Sequence, residues 1–156
     1  MSDIHRSRRP RPGCPVSQVR DKLRRAGVRP TLQRVSLGWL LLGKGDRHVT
    51  AEMLFEEAQK ARVPTSLATV YNSLKQFTEV GLVRQIAADG RKSYFDTDLT
   101  DHHHFLVQGE GKIIDIPCAS LSVSGLPATP AGYVVERVEV VVRLRRFPSR
   151  TSSQRE

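Results

Sequence analysis

Apolar residues recur at helical spacing through the first half of the chain and at alternate positions near its end. Val19, Leu23 and Ala26 follow Ser17 three or four residues apart, which predicts a helix capped by Ser17 and ended by Gly27. Arg29-Pro30-Thr31 opens a second helix, with Thr31 as its cap and Val35, Leu37, Leu40, Leu41 and Leu42 as its buried face, until Gly43-Lys44-Gly45-Asp46. Thr50-Ala51-Glu52 begins a third, in which Met53, Leu54, Ala58 and Ala61 are apolar, and it runs to the turn at Val63-Pro64. A fourth is capped by Thr65 or Ser66. Its inward face is Leu67, Val70, Leu74 and Phe77, which leaves Ser66, Thr69, Tyr71, Asn72 and Lys75 outside.

After Gly81 the period shortens. Residues 82–87 and 93–95 fit two short strands joined by the turn Ala88-Asp89-Gly90-Arg91. Helices followed by a hairpin predict a winged helix-turn-helix, a motif in which the second helix of the pair lies in the major groove of DNA. The outward set on the fourth helix has matching chemistry: hydroxyls and amides for base edges, and Lys75 for phosphate. Further on, residues 105–107 and 112–116 predict strands around Gln108-Gly109-Glu110-Gly111, and residues 120–125 a short helix. Pro127, Pro130 and Gly132 mark a loop. Residues 133–146 then alternate, with Val134, Val138, Val140, Val142 and Leu144 on one face.

The fold class is therefore α+β, an N-terminal winged helix-turn-helix DNA-binding domain followed by a small αβ dimerisation domain. The expected boundaries are a disordered basic tail over 1–13, the winged helix over 14–96, a hinge with a histidine cluster over 97–104, the αβ domain over 105–147, and a second basic tail over 148–156. A domain of roughly 50 residues buries little surface alone. Pairing with a second copy is the natural remedy, so a homodimer is expected.

Charge strengthens the nucleic-acid reading. The net charge is +9, and the first 29 residues carry nine basic side chains against Asp3 and Asp21, while residues 143–156 carry five arginines against Glu156. The intervening stretch has eleven basic against thirteen acidic groups. Electropositive ends beside a near-neutral body suit a polyanion, and double-stranded DNA is the commonest. No apolar run approaches a membrane span and no secretory signal is visible, so a cytoplasmic protein without membrane contact is expected.

Asp101-His102-His103-His104-Phe105, flanked by Asp96 and Asp115, gathers three of the five histidines among carboxylates. On an extended segment His102 and His104 leave the same face and can converge on one ion, while His103 points the other way. Imidazole with carboxylate suits iron, manganese, zinc or copper. Cys14 and Cys118 are the only cysteines, so there is no disulfide framework and no paired-cysteine zinc motif. Cys118 is expected to be a buried thiol.

The recognition segment Leu67-Ala68-Thr69-Val70-Tyr71-Asn72-Ser73-Leu74, the entry segment Arg29-Pro30-Thr31-Leu32-Gln33-Arg34 and the histidine-rich hinge closely resemble the ferric uptake regulator superfamily over about residues 14 to 147. Leu37-Gly38-Trp39-Leu40-Leu41, Gly43-Lys44-Gly45-Asp46-Arg47-His48, Asp96-Thr97 and Val141-Val142-Arg143-Leu144-Arg145 look most like its iron response regulators. The resemblance implies a regulatory site for Fe(II) or Mn(II), with Zn also admissible, at His48, Asp96, His102, His104 and Asp115. The peroxide-sensing branch has the same pattern.

Where many relatives carry a Cys-x-x-Cys pair, this chain has Val107 and Glu110, so no cysteine-ligated structural zinc is expected. Iron response regulators are similar in that lack and respond to haem, some through a Cys-Pro motif and a second site in the histidine run. Here Cys14-Pro15 and His103 are the corresponding haem candidates, and a haem-delivering protein would be a further partner. Val16-Ser17 stands where the haem-binding motif has Trp-His. The resemblance also implies an AT-rich operator, with Arg29 and Arg34 on backbone or minor groove and Ser66, Thr69, Tyr71 and Asn72 facing bases. The expected function is a DNA-binding regulator, mainly a repressor, of iron and haem homeostasis; a peroxide-sensing repressor is the same-fold alternative. Two histidines and a carboxylate also describe non-haem iron oxygenases. No barrel pattern accompanies them here, and an enzyme is not expected.

Overall fold

The computed structural model describes Gly13, residues 15–86 and residues 92–147, so residues 1–12, Cys14, residues 87–91 with the expected turn, and residues 148–156 lie outside the described residues. The chain divides into two units, residues 1–100 and 101–156.

The first unit carries α1 (Val16–Arg25), α2 (Leu32–Leu42), β1 (His48–Val49), α3 (Ala51–Lys60), α4 (Leu67–Glu79), β2 (Arg84–Ile86) and β3 (Tyr94–Asp96). Three helices start on side-chain caps: Thr31, Thr50 and Ser66 accept from the backbone N–H groups of Arg34, Met53 and Thr69 at 3.2–3.3 Å. At α1 the expected cap is displaced. Ser17 lies inside the helix, and Pro15, with φ preset at −61°, holds the cap position without a side-chain bond.

α1, α3 and α4 end alike. A residue in the left-handed region follows each, and the next amide reaches back to a carbonyl five residues earlier: Val28 to Leu23, Val63 to Ala58 and Leu82 to Phe77. Gly27 and Gly81 supply that conformation without a Cβ penalty, whereas after α3 it is taken by Arg62 at φ 55°.

Val19, Leu23, Leu37, Leu41, Leu54, Val70, Leu74 and Phe77 fill the core, each at most 1% exposed. A Cβ on Gly38 would lie 2.9 Å from Val19 Cγ1, so the glycine marks where α1 lies close on α2. On α3 the buried stripe is Ala51, Leu54 and Ala58; Met53 and Ala61 fall off it and are exposed. β1, which the sequence pattern does not predict, pairs antiparallel with β3, giving a sheet in the order β1-β3-β2.

The second unit is a three-stranded sheet in the order β5-β4-β6, built from β4 (His102–Val107), β5 (Lys112–Pro117) and β6 (Val141–Leu144). β4 and β5 form the expected hairpin, but β4 starts at His102 and so takes in all three histidines. The helix expected over 120–125 is absent; a single 3-10 turn, Cys118–Ser120, stands before it, and Cys118 is exposed rather than buried. The alternating stretch 133–146 is strand only where it lies parallel to β4, pairing 104–107 with 141–144. Without a ladder, Tyr133, Val134 and Val135 remain exposed.

Candidate metal centre and DNA face

In the first unit, the β1–β3 register sets His48 opposite Asp96. Asp96 is buried, and its Oδ1 accepts the Asp98 N–H at 2.8 Å, so the carboxylate is oriented by backbone. Its Oδ2 lies 3.6 Å from His48 Nε2. The strand that carries His48 is itself held. The Arg47 N–H donates to the Thr97 hydroxyl at 2.8 Å and its carbonyl accepts the Thr97 N–H at 3.1 Å, while its guanidinium forms a bidentate pair with Glu57 of α3, which Lys44 joins at 2.8 Å. Burial pushes the Glu57 carboxyl up, but the hydrogen bonds from Arg47 and Lys44 outweigh it and hold the group below the usual carboxylate range.

In the second unit, alternation along β4 puts His102 and His104 on one side, with ring centroids 4.5 Å apart. β5 brings Asp115 opposite His104, and its Oδ1 lies 3.5 Å from His102 Nε2 and 3.8 Å from His104 Nε2. On the other edge of β4, Glu139 Oε1 lies 3.2 Å from His104 Nδ1. Sequence reasoning missed Glu139; its distance along the chain from the histidines conceals it until β6 is docked. His103 faces away and is buried, its Nδ1 accepting the Val140 N–H at 3.3 Å.

These separations fit a metal donor set. Two ligands bound at about 2.1 Å to one ion and 90–110° apart lie about 3.0–3.5 Å from each other, close to the spacings within each unit. Most of them are too long to be hydrogen bonds. Nitrogen and carboxylate oxygen, without sulfur, suit Fe(II), Mn(II) or Zn(II).

The expected DNA-contacting residues lie on or beside α2 and α4. A polar cleft of about 280 Å³ is lined by Thr31, Gln33, Arg34, Thr69, Asn72, Ser73 and Gln76. Arg34 donates to the Arg29 carbonyl at 3.2 Å, and Arg29 itself stands just before α2. Ser66 and Thr69 share a hydroxyl contact at 2.9 Å. Tyr71, Asn72 and Lys75 are exposed on α4, and the Tyr71 hydroxyl donates to Glu52 Oε1 at 2.7 Å.

The family model for the ferric uptake regulator family matches residues 25–140. The chain belongs to the ferric uptake regulator family. Members are metal-responsive transcriptional regulators that bind DNA and act as dimers, and they are not enzymes. The chain is 32% identical to the peroxide operon regulator of Bacillus subtilis, over 80% of this chain and 88% of that one. It is 33% identical to the peroxide-responsive repressor PerR of Staphylococcus epidermidis, over 60% of this chain and 61% of the relative. Among solved structures, the ferric uptake regulator of Pseudomonas aeruginosa with manganese matches at a TM-score of 0.61 and 26% identity, covering 81% of this chain and 96% of that one. The family fold, helical DNA-binding part followed by a small sheet-containing part, is the one described above. Among the described residues, no helix is long and apolar enough to cross a membrane.

Proposed function

We propose that this family member is a metal-dependent, homodimeric repressor that acts in the cytoplasm, with one Fe(II) or Mn(II) ion held by His48, Asp96, His102, His104 and Asp115. The observation that carries the reading is that each unit by itself brings histidine and carboxylate to ligand spacing, His48 with Asp96 and His102 and His104 with Asp115. Only five residues separate Asp96 from His102 in the chain. A bound ion supplies positive charge and directional bonds to these donors. The protein's own part is to hold the donors ready: backbone orients Asp96, and the β4–β5 register sets Asp115 against His104. Arg29, Arg34 and Lys75 supply phosphate contacts and Ser66, Thr69, Tyr71 and Asn72 face bases of an AT-rich operator. The exposed Tyr133, Val134, Val135 and Leu126 of the second unit offer apolar surface for pairing with a second copy.

The trigger has two readings. The two relatives named for peroxide response favour a peroxide-sensing repressor. The resemblance to iron response regulators, with Cys14-Pro15, favours control of iron and haem genes and delivery of haem by a partner protein. Against His103 as a haem contact stands its burial and its bond to Val140, since reaching a haem iron requires that bond to open. Operator binding is measured with Mn(II) alone, after Fe(II) and mild peroxide, and after haem. Peroxide-dependent release with a mass gain of one oxygen on His48 or His102 supports the first reading; haem-dependent release with a Soret band supports the second. Equal operator affinity with and without metal overturns the proposal.

A further inference from the structure

The hydrogen bond between Tyr71 and Glu52 has a consequence for recognition. Tyr71 stands exposed in the first half of α4, on the face that carries Asn72 and Lys75, where an unrestrained aromatic side chain samples several rotamers. Its hydroxyl is anchored at 2.7 Å to a carboxylate in the first turn of α3. That carboxylate stands on the first turn of a helix whose start is itself fixed, Thr50 Oγ1 accepting the Met53 N–H at 3.2 Å. The link therefore ties the start of α3 to the second turn of α4.

A tyrosine hydroxyl is a common donor to DNA phosphate. Here that donor is already committed to Glu52, and a carboxylate beside it disfavours the approach of a phosphate. What Tyr71 has left to offer is the apolar carbon of its ring, held in one position, and the apolar feature of a base edge in the major groove is the thymine 5-methyl group.

We propose that Glu52 is a positioning residue for DNA recognition, which turns Tyr71 from a phosphate donor into a reader of thymine methyl groups. The inference rests on the reading that Tyr71 faces bases. An operator is first selected from a random DNA pool with the full-length wild-type protein in Mn(II), and each thymine is then replaced in turn by deoxyuridine. In the wild type, loss of the methyl group at one position in each half-site weakens binding about fourfold per methyl. Glu52→Ala and Tyr71→Phe free the ring and bring that ratio to about one. Glu52→Gln keeps an acceptor for the hydroxyl and keeps the ratio, although it removes the same charge. A general gain in affinity from removing a negative charge raises thymine and deoxyuridine sites alike, so it does not move the ratio. If Glu52→Ala retains the wild-type discrimination, Glu52 does not position Tyr71 and the proposal is wrong. If the wild type itself shows no discrimination at any position, the base-facing reading of Tyr71 fails first and takes the proposal with it.

Discussion

Nδ1 of His104 lies 3.2 Å from Oε1 of Glu139, although His104 is on β4 and Glu139 precedes β6, far along the chain. A carboxylate beside one ring nitrogen orients the imidazole and raises its basicity toward a metal at the other. Glu139→Ala is expected to weaken Mn(II) binding about 10- to 100-fold. Competition with a metal-sensitive dye measures it, and an unchanged affinity removes Glu139 from the site.

His103 and His104 are neighbours on β4 whose rings meet different partners, the Val140 N–H for one and the Asp115 and Glu139 carboxylates for the other. His104→Ala is expected to abolish Mn(II) binding. His103→Ala leaves the Val140 N–H without its acceptor and costs about 1–3 kcal/mol of stability, with metal affinity close to wild type. Parallel chemical denaturation and metal titration of both variants separate the roles; metal loss in His103→Ala at full stability contradicts the division.

The Arg47–Glu57 pair predicts acid sensitivity. Glu57 titrates in the folded protein below its ordinary value of 4.5, so the stability it contributes is complete above that pH and is lost as pH falls through the lower folded value. Glu57→Gln is expected to cost about 1–3 kcal/mol at pH 7. The gap to wild type closes as the pH drops below 4.5. Thermal melts of both proteins between neutral and acid pH test this, and a gap that is constant with pH shows that the charge is not what Arg47 holds.

Arg62 occupies the left-handed position that glycine fills after α1 and α4. Arg62→Gly relieves the Cβ strain and is expected to stabilise by about 0.5–1 kcal/mol, after the greater chain entropy of glycine is subtracted. The reading is a higher midpoint in urea with an unchanged slope. A lower midpoint shows that the Arg62 side chain contributes more than its backbone strain costs.

Arg34 and Lys75 are assigned to phosphate. Alanine at either is expected to weaken binding alike for selected and random DNA, and to reduce the dependence of log affinity on log salt by about one. Fluorescence anisotropy over a salt series measures it. A loss confined to the selected operator instead places that residue on a base.

Much of this protein was legible without coordinates. Thr31, Thr50 and Ser66 announce helix starts because a side-chain oxygen must satisfy an amide three residues on, which is local chemistry. Apolar spacing then places Leu37, Leu54, Leu74 and Phe77 inside, and alternation separates His102 and His104 from His103. Spacing also misleads where burial depends on a partner strand: residues 133–140 alternate as β6 does, yet find no ladder. The general tendency of free cysteines to be buried fails at Cys118, which is exposed.

What tertiary structure alone decided are pairings between distant positions. β1 is two residues long and carries no period of its own; it exists because β3 offers hydrogen bonds, and that register sets His48 against Asp96. The parallel docking of β6 on β4 brings Glu139 to His104, and the packing of α3 beside α4 brings Glu52 to Tyr71. Caps and periodicities are read from neighbours within a few residues, so the chain declares them by itself. Which side chain completes a donor set or anchors a tyrosine depends on the register of elements that meet only when the chain has folded.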